Sequence, residues 1–259
     1  MLRLLLAASC LVSIAAFAPR PSTSASSTAL AAYKKVFVAG AARGVGRHIV
    51  DQLVAKNTEV VAFVRNPDAA AELNAIDGVT AILGDAFDQK VVENAMDGCD
   101  AAITTIGGST SDEGVRVDYA GNNNVIESAG ILGVTRVILV TSVGCGSSKD
   151  AAPPSVFETL KPVLEAKEKA ENVLIKYYTN TNWTIIRPGG LKSEPATGNA
   201  ILTEDTKAIG TIHREDLAAL ILQALDSGKT ERKILSALDP SIESAVAPEG
   251  QSVEAFAMS

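Results

Sequence analysis

Histidine is scarce in this chain. The two in 259 residues, His48 and His213, lie far apart, with no cysteine or carboxylate at ligand spacing, which argues against a metal centre. Cysteine is nearly as rare: Cys10, Cys99 and Cys145 are too few for the disulfide framework of a small secreted domain. Basic charge is short as well. Lys and Arg number 23 against 30 Asp and Glu, a formal charge of −7, and such a surface has no general affinity for nucleic acid. Beyond the first thirty-odd residues no apolar run approaches roughly twenty, so that part carries no expected membrane span and should be soluble. Internal repeats and low-complexity linkers are missing too.

Acidic residues are absent in one place only: none precedes Asp51. Arg3 is followed by an apolar stretch from Leu4 to Ala16, then by the Ser- and Thr-rich run Phe17 to Thr28. The first stretch reads as a secretory signal and the second as transit-peptide composition. Together, with Ala16-Phe17-Ala18-Pro19 at the junction, they resemble the bipartite presequence of plastid proteins in diatoms and related algae. The alternative is plain secretion. The paucity of cysteine opposes it, and the one sequon, Asn182-Trp183-Thr184, runs into what reads as a buried strand. Residues 1–32 are therefore read as presequence, 33–238 as one folded domain and 239–259, rich in Pro, Ser, Glu and Ala, as a loosely held tail. Loss of Arg3 and Arg20 with the presequence moves the charge from −7 to −9.

What is present is concentrated between Lys35 and Arg65. The apolar run Lys35–Ala39 opens into Gly40-Ala-Ala-Arg43-Gly44-Val45-Gly46. An amphipathic run with Val45, Ile49, Leu53 and Val54 on one face follows, then Glu59–Val64 and Arg65. Strand, glycine turn, helix and strand in register within about thirty residues is the context a dinucleotide-binding turn requires. Gly40 permits the tight turn, Gly44 the approach of a pyrophosphate, and Gly46 close packing of helix on sheet. Free N–H groups at Gly44, Val45 and Gly46 then face the phosphates. An NAD site places Asp or Glu at the end of the second strand. Here Arg65 stands there, the nearest carboxylate is Asp68, and Arg43 adds a second guanidinium, which suits a 2′-phosphate. NADP(H) is the preferred cofactor.

The remainder alternates as a doubly wound, mostly parallel α/β sheet should. Strands are predicted at 79–83, 100–105, 135–141 and 183–187, with a short last strand at 233–236. Helices are predicted at 89–96, 115–129, 156–178 and 214–225. Ligands of such sheets sit at the carboxyl ends of the strands, which marks Asp85, Thr104, Thr105, Ser142, Pro188 and Gly189 for inspection.

The motifs at those ends carry a family resemblance. Gly84-Asp85-Ala-Phe-Asp88 resembles the adenine-contacting segment of the short-chain dehydrogenase/reductase superfamily. Asp118-Tyr-Ala-Gly-Asn122 with Asn124 is similar to its Asp-Tyr-x-Gly-x-x-Asn helix. Thr141-Ser142-Val-Gly and Ile186-Arg-Pro-Gly-Gly-Leu191 match its fifth and sixth strand ends. The nearest likeness is to the atypical branch. It holds biliverdin reductase B, NmrA-like cofactor sensors and the module that tethers ferredoxin–NADP reductase at the plastid envelope. One departure is the placing of the middle glycine at Gly44, where that branch often has it one residue earlier.

The larger departure is catalytic. Most members of the superfamily use Tyr-x-x-x-Lys, the lysine lowering the tyrosine pKa so that the phenol exchanges a proton as hydride moves. Here Lys167 stands at the lysine position and Val163 at the tyrosine position. The resemblance implies that Lys167 binds the nicotinamide ribose, and Ser142 or water is left to relay the proton. Two readings stay open. One is a reductase of a conjugated small-molecule acceptor such as a flavin, tetrapyrrole or quinone. The other is a non-catalytic NADPH sensor, tether or assembly factor with a plastid protein partner. A mobile lid is expected over Gly189–Ala200. Cys99 and Cys145 fall at opposite ends of the sheet, too far apart to bond; a buried, inert Cys145 is the commoner case and a single reactive Cys145 the alternative.

Overall fold

The computed structural model describes residues 33–108, 110, 111 and 114–258; the expected presequence lies outside them. The chain begins as the motif predicts, with β1 (Lys35–Ala39), α1 (Gly44–Ala55) and β2 (Glu59–Val64). There follow α2 (Pro67–Asn74), β3 (Val79–Leu83), α3 (Gln89–Met96), β4 (Ala101–Thr104), α4 (Ala120–Leu132) and β5 (Arg136–Val140). The second half holds α5 (Pro154–Tyr177), β6 (Asn182–Pro188), β7 (Gly190–Lys192), β8 (Ile201–Thr203), β9 (Thr211–His213), α6 (Arg214–Asp226) and β10 (Lys233–Leu238).

Eight strands form one sheet in the order β3-β2-β1-β4-β5-β6-β10-β8. All neighbours run parallel except β8, which is antiparallel to β10 at the edge. Winding outward in both directions from β1 and β4 leaves a crevice at their carboxyl ends, the place where such sheets bind ligands. β7 and β9 pair separately, beside that crevice.

Helices cover both faces, so each strand must be apolar on both sides, and the strands read as unbroken apolar runs. Side chains nonetheless alternate. Val36 and Val38 join Ile49, Leu53, Leu217 and Ile221 beneath α1 and α6. Phe37 and Ala39 join Val125, Ile126, Ala170 and Leu174 beneath α3, α4 and α5.

Four departures from the sequence reading are present, three of them with local causes. The unforeseen α2 starts because the Asn66 side chain accepts from the Asp68 and Ala69 amides, with Pro67 at the first helical position, a combination that favours initiation. α4 begins at Ala120, not near Val115. Residues 114–118 are drawn out of the helix by a bridge between Thr110 and Arg116 and by the buried Asp118 carboxylate, which accepts from Gly108 N–H at 3.1 Å. The last strand runs to Leu238. β7, β8 and β9 were not expected at all, since three residues are too few to show a period.

The tail, expected to be loosely held, has little regular structure but is tied down. Gln251 bonds both the amide and the carbonyl of Ile209, and the Phe256 amide donates to Leu202 O at 2.7 Å beside the edge strand β8. Phe256 and Met258 pack on the α1/α6 core. Phe256→Ala is expected to cost about 1–2 kcal/mol in urea unfolding, less than a full core truncation because the ring is partly buried. An unchanged midpoint would mean that the tail is held as loosely as the composition suggests.

Candidate functional site

At the carboxyl end of β1 the chain turns on Gly40, whose φ is +86°, and Gly44 takes φ +58°. A Cβ on Gly46 would stand 2.1 Å from the carbonyl oxygen of Gly40, a separation no side chain tolerates. Only glycine lets α1 rise this close to the strand it follows. Arg43 is the N-cap residue, and its side chain makes no capping bond. The first-turn amides of α1 are thus left without a side-chain acceptor, and the positive end of the helix opens toward the cleft.

That cleft is about 990 Å³, the upper end of small-molecule sites, and the glycine turn forms its floor. Of the residues marked by sequence, it is lined by Gly40, Arg43, Gly44, Val45, Gly46, Arg65, Thr105, Lys167 and Pro188. The arginines stand at the β2 end, where Asp68 and Glu72 of α2 join the wall, so this end holds two cations and two carboxylates. These features fit a dinucleotide: an uncapped helix start over a glycine turn for the pyrophosphate and guanidiniums beyond it.

The other marked residues lie elsewhere. Asp85 is exposed and accepts from the Phe87 amide; its neighbour Ala86 lines the cleft. Thr104 is fully buried on the α4 side, donating to Asn122 Oδ1 at 2.7 Å. Gly189 is needed for packing, since a Cβ there would stand 2.1 Å from Gly210 O. Ser142 is not on the cleft wall; its hydroxyl donates to the Val143 carbonyl at 2.9 Å, and Thr141 lines the cleft in its place.

Opposite the arginines, Lys167 reaches in from α5. Its Nζ stands 3.4 Å from Asp118 Oδ1 and 3.4 Å from the Ile106 carbonyl. Asp118 is fully buried, and its second oxygen also meets Arg116 Nη2 at 3.1 Å. A Cβ on Gly107 would fall 2.6 Å from the Asp118 carboxylate and 3.0 Å from Lys167 Nζ, so a glycine makes room for the pair. The role of Asp118 was not read from sequence. Its signal was an acid among apolar residues just ahead of a helix.

Beneath this end lies a buried ion pair that sequence reasoning also missed. Arg187 of β6 donates to both oxygens of Glu171, Nε to Oε1 at 3.0 Å and Nη2 to Oε2 at 2.7 Å. Thr141 Oγ1 donates to Glu171 at 2.6 Å, and Arg187 Nη1 to Ser147 Oγ at 2.8 Å. Cys145 is sealed against this group. Burial first, and the Glu171 charge second, push its thiol up to about 12, and burial pushes Cys99 up to about 11. A reactive Cys145 thiolate is not supported.

The expected lid at Gly189–Ala200 is exposed over most of its length but is fastened at both ends. β7 pairs with β9, and the Thr197 and Gly198 amides donate to Asp216 at 2.8 and 3.0 Å. His213 is buried between Glu194 and Asp216, 3.7 and 3.9 Å away. Among the described residues, no cluster of His, Cys, Asp and Glu is placed to hold a metal ion, and no helix is long and apolar enough to cross a membrane.

Comparison with known proteins bears on this arrangement. The profile of a family described as NAD(P)H-binding matches residues 40–228. YhfK of Bacillus subtilis, described as an uncharacterized sugar epimerase, is 35% identical over 205 residues, 77% of this chain and 91% of its own. An uncharacterized chloroplastic protein of Arabidopsis thaliana is 32% identical over 213 residues, 78% of this chain and 75% of its own. Among solved structures, ChuY of Escherichia coli O157:H7, described as an anaerobilin reductase, matches with a TM-score of 0.74 at 30% identity. That match covers 82% of this chain and 100% of ChuY.

Two outcomes follow from the buried groups. Glu171→Ala leaves the Arg187 guanidinium buried and unpaired, and is expected to cost about 3–5 kcal/mol in urea unfolding. At pH 7.5, iodoacetamide should label neither Cys99 nor Cys145 in the folded protein and both in urea, as read by peptide mapping. Native labelling of Cys145 would contradict the geometry.

Proposed function

The chain belongs to the NAD(P)H-binding family, and on that premise we propose that it is an NADPH-dependent reductase of a conjugated acceptor. The matching profile and the likeness to ChuY bear out the NAD(P)-binding Rossmann domain and the atypical short-chain dehydrogenase/reductase branch read from the motifs. The observation that carries the reductase reading is the make-up of the cleft at the Lys167 end. Ile106, Val117, Val140, Pro188 and Leu191 contribute apolar wall and Lys167 the one ammonium, and among the described residues no tyrosine, histidine or cysteine lines the cleft.

Bound NADPH supplies a hydride from the nicotinamide C4. The chain's own residues do the rest. The first-turn amides of α1 hold the pyrophosphate, and Arg43 and Arg65 grip the 2′-phosphate. Lys167, steadied by Asp118, serves the nicotinamide ribose and favours negative charge arriving beside it. A simple ketone would need a proton donor within bonding reach as its alkoxide forms. A flavin, tetrapyrrole or quinone spreads that charge over a conjugated system, so water suffices. With the Ser142 hydroxyl turned to the backbone, water is the proton source. The activity that names ChuY favours a tetrapyrrole within this class.

The composition of the first 32 residues and the chloroplastic Arabidopsis relative support a plastid location, with the stroma of a secondary plastid as its finer form. The same lack of a relay tyrosine favours one other reading, an NADPH-binding sensor or tether without turnover.

Stopped-flow oxidation of NADPH against bilins, flavins and quinones tests the proposal. One acceptor class should turn over. Lys167→Ala should slow it on the order of 10²-fold, and Ser142→Ala should change it by less than about twofold. Wild type should bind NADPH about tenfold tighter than NADH, and Arg43→Ala with Arg65→Ala should abolish that preference. Tight NADPH binding with no turnover on any acceptor would sink the reductase reading and leave the sensor.

A further inference from the structure

α6 begins at Arg214, about 170 residues from the glycine turn in sequence, yet the Arg214 side chain lies across that turn. Its Cδ and Nε stand 3.5 and 3.6 Å from the point a Cβ on Gly44 would occupy. Its Nη1 donates to Ser193 Oγ at 2.7 Å. Arg214 and Ser193 both line the cleft. Among the described residues the guanidinium is bonded to that serine and to no carboxylate. Arg187 and Arg136, the buried arginines of this domain, instead have their donors taken up by protein acceptors.

A guanidinium poised over first-turn amides, with a neutral hydroxyl for a partner, has donors to offer an anion. Its planar fork matches phosphate oxygens in pairs. We propose that Arg214 grips the pyrophosphate of the dinucleotide and that Ser193 is its partner when the cofactor is absent. The glycine turn would then bind its ligand from two sides, by amides from the first half of the chain and by a cation from the second.

The same contact ties the cofactor to the strap at residues 191–199. The first three residues of α6 all hold that strap: Arg214 through Ser193, Glu215 through the Ala196 amide at 3.4 Å, and Asp216 through the Thr197 and Gly198 amides. Leu191, at the start of the strap, lines the cleft beside Pro188. Drawing Arg214 onto the pyrophosphate changes one of these three fastenings, so cofactor binding alters the order of the strap that borders the acceptor side. The proposal rests on dinucleotide binding in this cleft and not on turnover, so a failed acceptor assay leaves it standing.

The pyrophosphate is common to both dinucleotides, and that makes the test specific. Calorimetry of Arg214→Gln should show NADPH and NADH weakened alike, by about tenfold each, with their ratio unchanged. Arg214→Lys should recover part of the loss. Ser193→Ala, which removes the competing partner without touching the turn, should bind both at least as tightly as wild type. Hydrogen exchange across residues 191–199 should change on adding NADPH to wild type and not to Arg214→Gln. Wild-type affinity in Arg214→Gln would overturn the proposal. So would a loss confined to NADPH, which would move Arg214 to the 2′-phosphate, and so would weakened binding in Ser193→Ala.

Discussion

Where α1 leaves the sheet, its first turn rests against the Gly40 carbonyl at a distance that only a residue without a Cβ at position 46 permits. That approach sets the height of the helix over the sheet, and its start, without a side-chain cap, faces the crevice between β1 and β4. Thr105, next along the crevice, packs into the same space: its Oγ1 donates to the Ala39 carbonyl at 3.2 Å and lies 3.0 Å from where the missing Cβ would be. The phosphate end of the cleft is therefore built by exclusion. Neighbouring elements close in around a methyl group that is not there, and the helix dipole does the binding.

The opposite end is organised by charge. α5 carries Lys167 and Glu171 one turn apart, on one face of the helix. Glu171 locks that face to β6 through Arg187 and to the end of β5 through Thr141. Lys167 then meets Asp118, which comes from the loop ahead of α4. Four segments distant in sequence are held by two buried carboxylates, each facing a cation: Glu171 is bonded through both oxygens, and Asp118 Oδ1 meets Lys167 at 3.4 Å without a hydrogen bond. Removing either acid would strand a charge, which makes the arrangement stiff. A rigid ammonium among apolar walls suits charge spread over a conjugated ring system.

Much of this was legible in the sequence, and the misses share a cause. The strand runs and the glycine turn carry strong local signals. A strand end tells which residues sit near a ligand, but alternate residues point to opposite faces, so an error of one position reverses the side. Thr105 lines the cleft and Thr104 faces α4. Thr141 lines it and Ser142 does not; Pro188 does and Gly189 does not. The family pattern pointed to the right junctions without fixing the side. Asp118, Arg187 and Arg214 were hidden for a different reason: each acts on a segment far away in the chain, and no spacing announces such a pairing. The short strands β7, β8 and β9 are fixed by partners and not by their own composition.

The proposed chemistry requires one orientation of the dinucleotide, adenosine end at β2 and nicotinamide end at Lys167. A crystal structure of the NADPH complex examines it most directly. The 2′-phosphate should lie between Arg43 and Arg65, the pyrophosphate over Gly44–Gly46, and the nicotinamide among Ile106, Thr141, Lys167 and Pro188, with one ring face open to the cleft. A nicotinamide found at the α2 end, or a 2′-phosphate touching neither arginine, would contradict it.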